Sequence, residues 1–239
     1  FLSFVPADSP KVAFSASFAV DQIPTELRQE ITEKIGAYNF ISVREQRGQE
    51  IVKELIGKEV PVTVDPTLTL DFREWDKLIN APKRKEKYIF LYMLDYAYNP
   101  APYIYELVKH LQKKTGWIVL SNVEMPKSIG IRYHSVADAG IEEFLQLIRD
   151  SAFVVTSFFH GVAYTVNFGV PLLAVVPQEI QADTRLTSLL EQLELRKSIV
   201  RVGSTFDGLD GKYDKDREQR LLSDLRRDSI DYLRVALSN

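Results

Sequence analysis

The residues with the clearest chemical potential cluster where apolar runs give way to polar ones. In FVVTSFFHGVAYTVNFG, residues 153–169, an apolar strand runs into His160 and Gly161 and then into a helix-like stretch. A histidine at a strand-to-helix turn can bind an anion or move a proton. The unpaired N–H groups of the turn favour negative charge, and Gly161 permits close approach of backbone to a ligand. The other histidines, His110 and His134, fall on a helix end and in an apparent loop. Arg44, in Ile41-Ser42-Val43-Arg44-Glu45, also follows an apolar run, where a guanidinium can grip a carboxylate or phosphate in a forked geometry. Taken alone, it reads as one half of a surface salt bridge. Asp65 precedes Pro66, which holds it extended and able to reach a cleft; the plainer reading is a turn aspartate. In DTRLTSLL, Asp183 reads as a helix cap and Arg185 lies in the first turn. A cation is disfavoured there by the helix dipole, which hints at an anionic partner. Tyr96 and Tyr98 could stack on a sugar ring, although their aromatic-rich run reads first as core.

Several chemistries are excluded. No P-loop, G-x-G-x-x-G, G-x-S-x-G or metal-ligand spacing is present. The absence of cysteine removes disulfides, thiolate metal sites and a thiol nucleophile. With 30 basic and 33 acidic residues, the net charge of −3 argues against sequence-independent nucleic-acid binding. No apolar run approaches the roughly 18 residues of a membrane span. The opening FLSFVPADSP has neither the basic nor the long apolar region of a signal peptide. The absence of cysteine is compatible with the cytoplasmic address expected for the chain.

These residues need elements to position them. Continuous apolar runs at 11–15, 40–43, 60–64, 88–94, 117–120, 153–156, 172–176 and 199–202 suit parallel strands covered on both faces. Amphipathic stretches alternate with them. Pro24 reads as a first helical residue, with Leu27, Ile31 and Ile35 on one face; residues 46–56 end at Gly57, and 101–114 close at Gly116. Asp138 reads as the cap of a helix carrying Ile141, Phe144, Leu145 and Ile148. Leu186, Leu189, Leu190 and Leu193 form a further stripe, and residues 214–237 read as a charged amphipathic helix. The alternation predicts an α/β fold. At roughly 150 residues per domain, 239 residues make about 1.6 domains. The polar stretch 71–87 is the expected boundary, with three strands before it and five after.

As a set, KVAFSASFAV, ISVREQRG, VPVTVDPTLTL, EEFLQLIRDSAFVVTSFFHGVAYTVNFGVPLLAV and DTRLTSLLEQLELRKSIV resemble the polysaccharide pyruvyl transferase family, over roughly residues 1–202. The family's Ser-Phe-His-Gly-Thr is here Phe158-Phe159-His160-Gly161-Val162, which removes two hydroxyls. A lysine common after the next strand is missing from VPQEIQ, and Arg185 is the nearest cation. The family's upstream Asn-Tyr-Gly-like and Ser-Asp-Gln-x-Trp-like segments do not appear. The resemblance therefore implies two Rossmann-like domains resembling the GT-B glycosyltransferase architecture, the first incomplete. Residues 1–75 would be its C-terminal half, and 76–239 the second domain with a C-terminal amphipathic helix. It implies transfer of a carboxyethylidene group from phosphoenolpyruvate to a sugar of a surface glycan or its lipid-linked precursor. The donor would serve as a substrate, with no cofactor and no metal, and a lipid-linked acceptor would make the protein membrane-peripheral. By match to the family's motifs, Arg44 and His160 bind the donor, with His160 also the general acid. Gly161 helps hold phosphate, Arg185 replaces the lysine, and Asp65 orients a sugar hydroxyl or closes the cleft. The rival readings are a nucleotide-sugar glycosyltransferase or epimerase of the same fold, and a non-catalytic family member.

Overall fold

The computed structural model describes residues 1–6, 8–94, 98–179 and 184–238. Two parallel sheets organise them. The first pairs β1 (Val12–Ala16) with β2 (Phe40–Val43), with α1 (Thr25–Gly36) between them and α2 (Gln46–Ile56) after. A 3-10 turn (Pro66–Leu68) and the short α3 (Phe72–Asp76) lead away from it. The second sheet contains β3 (Tyr88–Tyr92), β4 (Ile118–Ser121), β5 (Tyr133–Ser135), β6 (Phe153–Thr156), β7 (Leu172–Val176) and β8 (Ile199–Arg201). Its strand order is β5-β4-β3-β6-β7-β8, parallel throughout. α4 (Tyr103–Thr115), α5 (Ile141–Arg149), α6 (Phe159–Phe168) and α7 (Thr184–Gln192) connect strands, and α8 (Lys215–Ser238) closes the described chain.

The unbroken apolar runs have the expected cause. Tyr88, Phe90, Val154, Leu172 and Ala174 face one core, with Val162, Val166 and Leu190 of α6 and α7. Ile89, Leu91, Val155, Leu173 and Val175 face the other, with Ile104, Leu107 and Leu111 of α4. A strand buried on both sides needs no polar alternation.

Several expectations are corrected. Residues 60–64 do not form a strand: Val62 makes a single bridge with Val43, and the Val64 N–H donates instead to Ser229 Oγ of α8 at 2.9 Å. The second sheet has six strands, not five. β5 reads YHS, too short and polar to show as an apolar run, and it pairs only with β4. Within 71–87 lies α3, capped by Asp71, whose Oδ1 accepts from Arg73 N at 2.8 Å. The cap of α5 is Gly140, not Asp138, and Glu143 Oε2 accepts from Gly140 N at 3.4 Å. Pro24 stands at the N-cap of α1, one residue before the helix.

α8 is tied to both halves of the chain. Gln219 Nε2 donates to Val166 O of α6 at 2.8 Å, and Arg226 Nε donates to Leu68 O at 2.7 Å. Ser229 is 2% exposed, and its hydroxyl also donates to Leu225 O at 2.7 Å. Ser229→Ala leaves the buried Val64 N–H without an acceptor, which costs about 1–3 kcal/mol. The denaturation midpoint should fall accordingly; an unchanged midpoint would show that Val64 has another acceptor.

Candidate active site

Strand order in the second sheet reverses between β3 and β6: β4 and β5 build outward on one side, β7 and β8 on the other. Open α/β sheets bind ligands beyond the carboxyl ends of their strands at such a switch point. His160 is the second residue of α6, which follows β6 directly, so it stands at that point. The N-cap of α6 is Phe158, in extended conformation, and no side chain caps the helix. Thr156 Oγ1 accepts from Phe158 N at 3.1 Å. The first-turn N–H groups of α6 lack helical acceptors and carry the positive end of the helix dipole.

Arg44 reaches the same place from the first sheet. Its N–H donates to Ala16 O at 3.0 Å, and its guanidinium carbon lies 4.8 Å above the Phe159 ring. Nη1 donates to Asp65 Oδ2, while the buried Nε makes no hydrogen bond among the described residues and pairs only loosely with Glu45 Oε2, at 4.0 Å. Asp65 is 3% exposed, and its other oxygen accepts from Thr67 N at 3.0 Å and Thr67 Oγ1 at 2.8 Å. Asp65 is thus both the turn cap and the partner of Arg44. Burial works to raise its pKa, but the Thr67 bonds and Arg44 outweigh that and hold it below the usual carboxylate range. The neighbouring Glu45 is buried as well; its Oε1 accepts from Phe18 N at 2.9 Å and Ser17 Oγ at 3.0 Å, fixing the loop after β1.

Arg185 is the second residue of α7, and Ser188 one turn later accepts from Gln46 N, in the first turn of α2, at 3.4 Å. The amino ends of α2 and α7 therefore meet. His160 feels all three charged candidates. Burial lowers its pKa most, Asp65 pulls it back up, and Arg44 and Arg185 push it down, for a net depression. Its imidazole is half-buried, with ring centroids 5.5 Å from Phe158 and 5.4 Å from Phe159, and has no hydrogen-bond partner among the described residues. It is neutral at pH 7.

The structure thus gathers Arg44, Asp65, His160, Gly161 and Arg185 around one locus. Gly161 has a packing reason as well: a Cβ there would lie 2.9 Å from Tyr92 Cδ1 and clash with Thr156 Oγ1. Asp183 and Tyr96 lie outside the described residues. The Tyr98 hydroxyl is buried without a partner among them, and burial raises its pKa. Sequence reasoning missed Phe159, the platform under Arg44, and Tyr164. The latter follows His160 by four residues on one helix face, a spacing that could have revealed it. Burial first, then the Asp65 charge, raises its phenol pKa. No cluster of metal-ligating side chains occurs among the described residues, and no described helix is long and apolar enough to cross a membrane.

Among solved structures, the chain is similar to a protein described as a UDP-N-acetylglucosamine 2-epimerase from Listeria monocytogenes. The TM-score is 0.56 at 13% identity, covering 89% of this chain and 62% of that one. A UDP-GlcNAc 2-epimerase from Neisseria meningitidis gives 0.56 at 10% identity, covering 92% and 68%. At such identities the likeness concerns the fold: an α/β, Rossmann-like arrangement of the GT-B kind. The chain spans less than two thirds of the length of the Listeria protein. No curated protein matches. The model of one sequence family, polysaccharide pyruvyl transferase, matches residues 1–179, three quarters of the chain and every strand from β1 to β7, so the chain belongs to the polysaccharide pyruvyl transferase family.

Proposed function

We propose that this chain carries the donor site of a transferase that moves the carboxyethylidene group of phosphoenolpyruvate onto two hydroxyls of a glycan sugar, forming a pyruvate ketal. The observation that carries the reading is the half-buried His160 at an uncapped helix terminus, with Asp65, Arg44 and Arg185 all close enough to shift its pKa. A small trianionic donor needs such an arrangement: fixed cations for carboxylate and phosphate, and one group that can exchange a proton.

In the reaction, the methylene carbon of the donor gains a proton and one sugar hydroxyl adds to the adjacent carbon. Phosphate leaves, and a second hydroxyl closes the ketal. Of the two hydroxyl protons released, one balances that given to the methylene carbon and the other departs with phosphate. Arg44 and the first turn of α6 bind the donor's anionic groups. Arg185 adds charge but holds its proton too tightly to act as an acid. His160 is the proton carrier. Asp65, with both oxygens engaged, holds the Arg44 fork in place. The donor is consumed, and no cofactor is required. The acceptor is a glycan sugar, free or lipid-linked, and the latter would bring the enzyme to the membrane surface from the cytoplasm.

The test is phosphate release from phosphoenolpyruvate in the presence of acceptor glycan. Thermal shifts should respond to phosphoenolpyruvate and not to a UDP-sugar; the reverse pattern would overturn the reading. Arg44→Lys replaces a fork by a point charge, and one lost charge-assisted bond of about 1.5–3 kcal/mol should raise the donor KM by tenfold or more. An unchanged donor KM would remove Arg44 from the donor site.

A further inference from the structure

A cavity of about 650 Å³ opens at the amino ends of β3 and β4, the opposite end of the sheet from His160. The five residues of β3 put roughly 13 Å of strand between the two ends. Tyr88, Ile118 and Leu120 form its apolar floor, and Arg84, Lys85 and Arg132 stand on its rim with Glu86 and His134. The Tyr88 hydroxyl is turned away, donating to Leu147 O at 2.8 Å, so the ring contributes its carbon face. The floor is recessed: Tyr88 and Leu120 are buried and Ile118 is half-buried, while β4 and the exposed β5 residue His134 end the sheet on this side.

The rim carries an excess of positive charge. Arg47, Arg217, Arg227 and Arg234 elsewhere on the surface each have a carboxylate within 2.9 Å. By contrast, the side chains of Arg84, Lys85 and Arg132 have no carboxylate partner among the described residues, though Arg132 Nη2 donates to Gly116 O at 3.5 Å. This is the basic stretch of the 71–87 segment: residues 83–87 read KRKEK in a chain whose net charge is −3. Glu86 offsets one of the three rim cations, leaving two in excess. Three cations from two segments, around an apolar floor of small-molecule size, make a concave anion site instead of a solvated charge run.

We infer that this cavity binds a phosphate-bearing group, its anionic part on Arg84, Lys85 and Arg132 and its carbon part on Ile118, Leu120 and Tyr88. The site is separate from the strand-end donor site and independent of the function proposed for it. A sugar phosphate and a phospholipid headgroup share this chemistry.

The test uses the chain carrying Arg44→Ala and His160→Ala, which disables the strand-end site. Calorimetric titration with glucose 1-phosphate should still show binding, and adding Arg84→Ala and Arg132→Ala should weaken it at least tenfold. Flotation with phosphatidylglycerol vesicles, set against phosphatidylcholine alone, distinguishes the sources: flotation lost in the same variant assigns the headgroup. Lys83→Ala with Lys87→Ala removes equal charge from outside the cavity and should change affinity less than twofold. Equal loss from both pairs would reduce the effect to diffuse attraction and overturn the site, as would no binding of either probe. All four cations are exposed, so thermal melts of the variants should match the parent.

Discussion

His160→Ala lowers kcat for phosphate release by about 10³-fold, the middle of the range for losing a positioned acid–base group. The pH behaviour separates this role from a structural one. In the free protein His160 is neutral at pH 7, because burial and then Arg44 and Arg185 outweigh the opposing pull of Asp65. A bound trianionic donor supplies negative charge beside the ring and raises its pKa above the free value. Binding the donor therefore takes up a proton in the interval between the two pKa values. Across that interval donor affinity should rise as pH falls, by up to tenfold per pH unit. Below the free-protein pKa it should level off, since the ring is then already charged. The captured proton is the one the methylene carbon needs, so a depressed resting pKa is compatible with an acid role once donor is present. His160→Ala should abolish the pH dependence along with turnover. A variant that keeps wild-type turnover would remove His160 from the chemistry. One that loses turnover but keeps the proton uptake would shift the titration to another group.

Arg44 and His160 are legible in the sequence for a common reason. Each follows an apolar run that is buried on both faces, and in parallel sheets the residues after such runs form the ligand-binding edge. What holds them is not legible. Asp65 lies 21 positions from Arg44, and the sequence offers a turn and a cleft residue as alternatives; the fold makes it a cap and an ion-pair partner at once. Phe159 reads as core, and is 2% exposed, yet its ring also faces the guanidinium from the other sheet. The 60–64 segment misleads because its apolar residues are buried without a strand on each side: the Val64 N–H goes to Ser229, 165 positions away. β5 is hidden for the converse reason, since an edge strand of three residues can pair without being apolar. Periodicity reports burial, and burial coincides with strand pairing only inside a sheet.

Gly161→Ala should lower both stability and turnover, and it separates two accounts of this glycine. In the first, the bare backbone lets a ligand approach. In the second, the helix itself must approach the sheet: a Cβ would lie 2.9 Å from Tyr92 Cδ1, 3.1 Å from Thr156 Cβ, and in hard contact with Thr156 Oγ1. Neither neighbour can yield cheaply. Thr156 Oγ1 accepts from Phe158 N at 3.1 Å, and the Tyr92 ring is packed against Phe90, Phe144 and Phe158 at centroid distances of 5.9, 4.7 and 6.0 Å. The amino end of α6 must therefore move outward, carrying Phe159 and His160 with it. Overpacking of this kind costs about 1–3 kcal/mol. If His160 carries the proton as proposed, a displacement of about 1 Å there is enough to cost roughly 100-fold in kcat. Thr156→Ala in the same chain removes the hard contact with Oγ1, at the loss of the Phe158 N–H acceptor, while the contacts with Tyr92 Cδ1 at 2.9 Å and Thr156 Cβ at 3.1 Å remain, so only part of the lost stability and turnover should return. Clearance for a ligand predicts no such recovery, because Thr156 would not be the obstacle. A double variant as impaired as Gly161→Ala alone would return Gly161 to the ligand-clearance account.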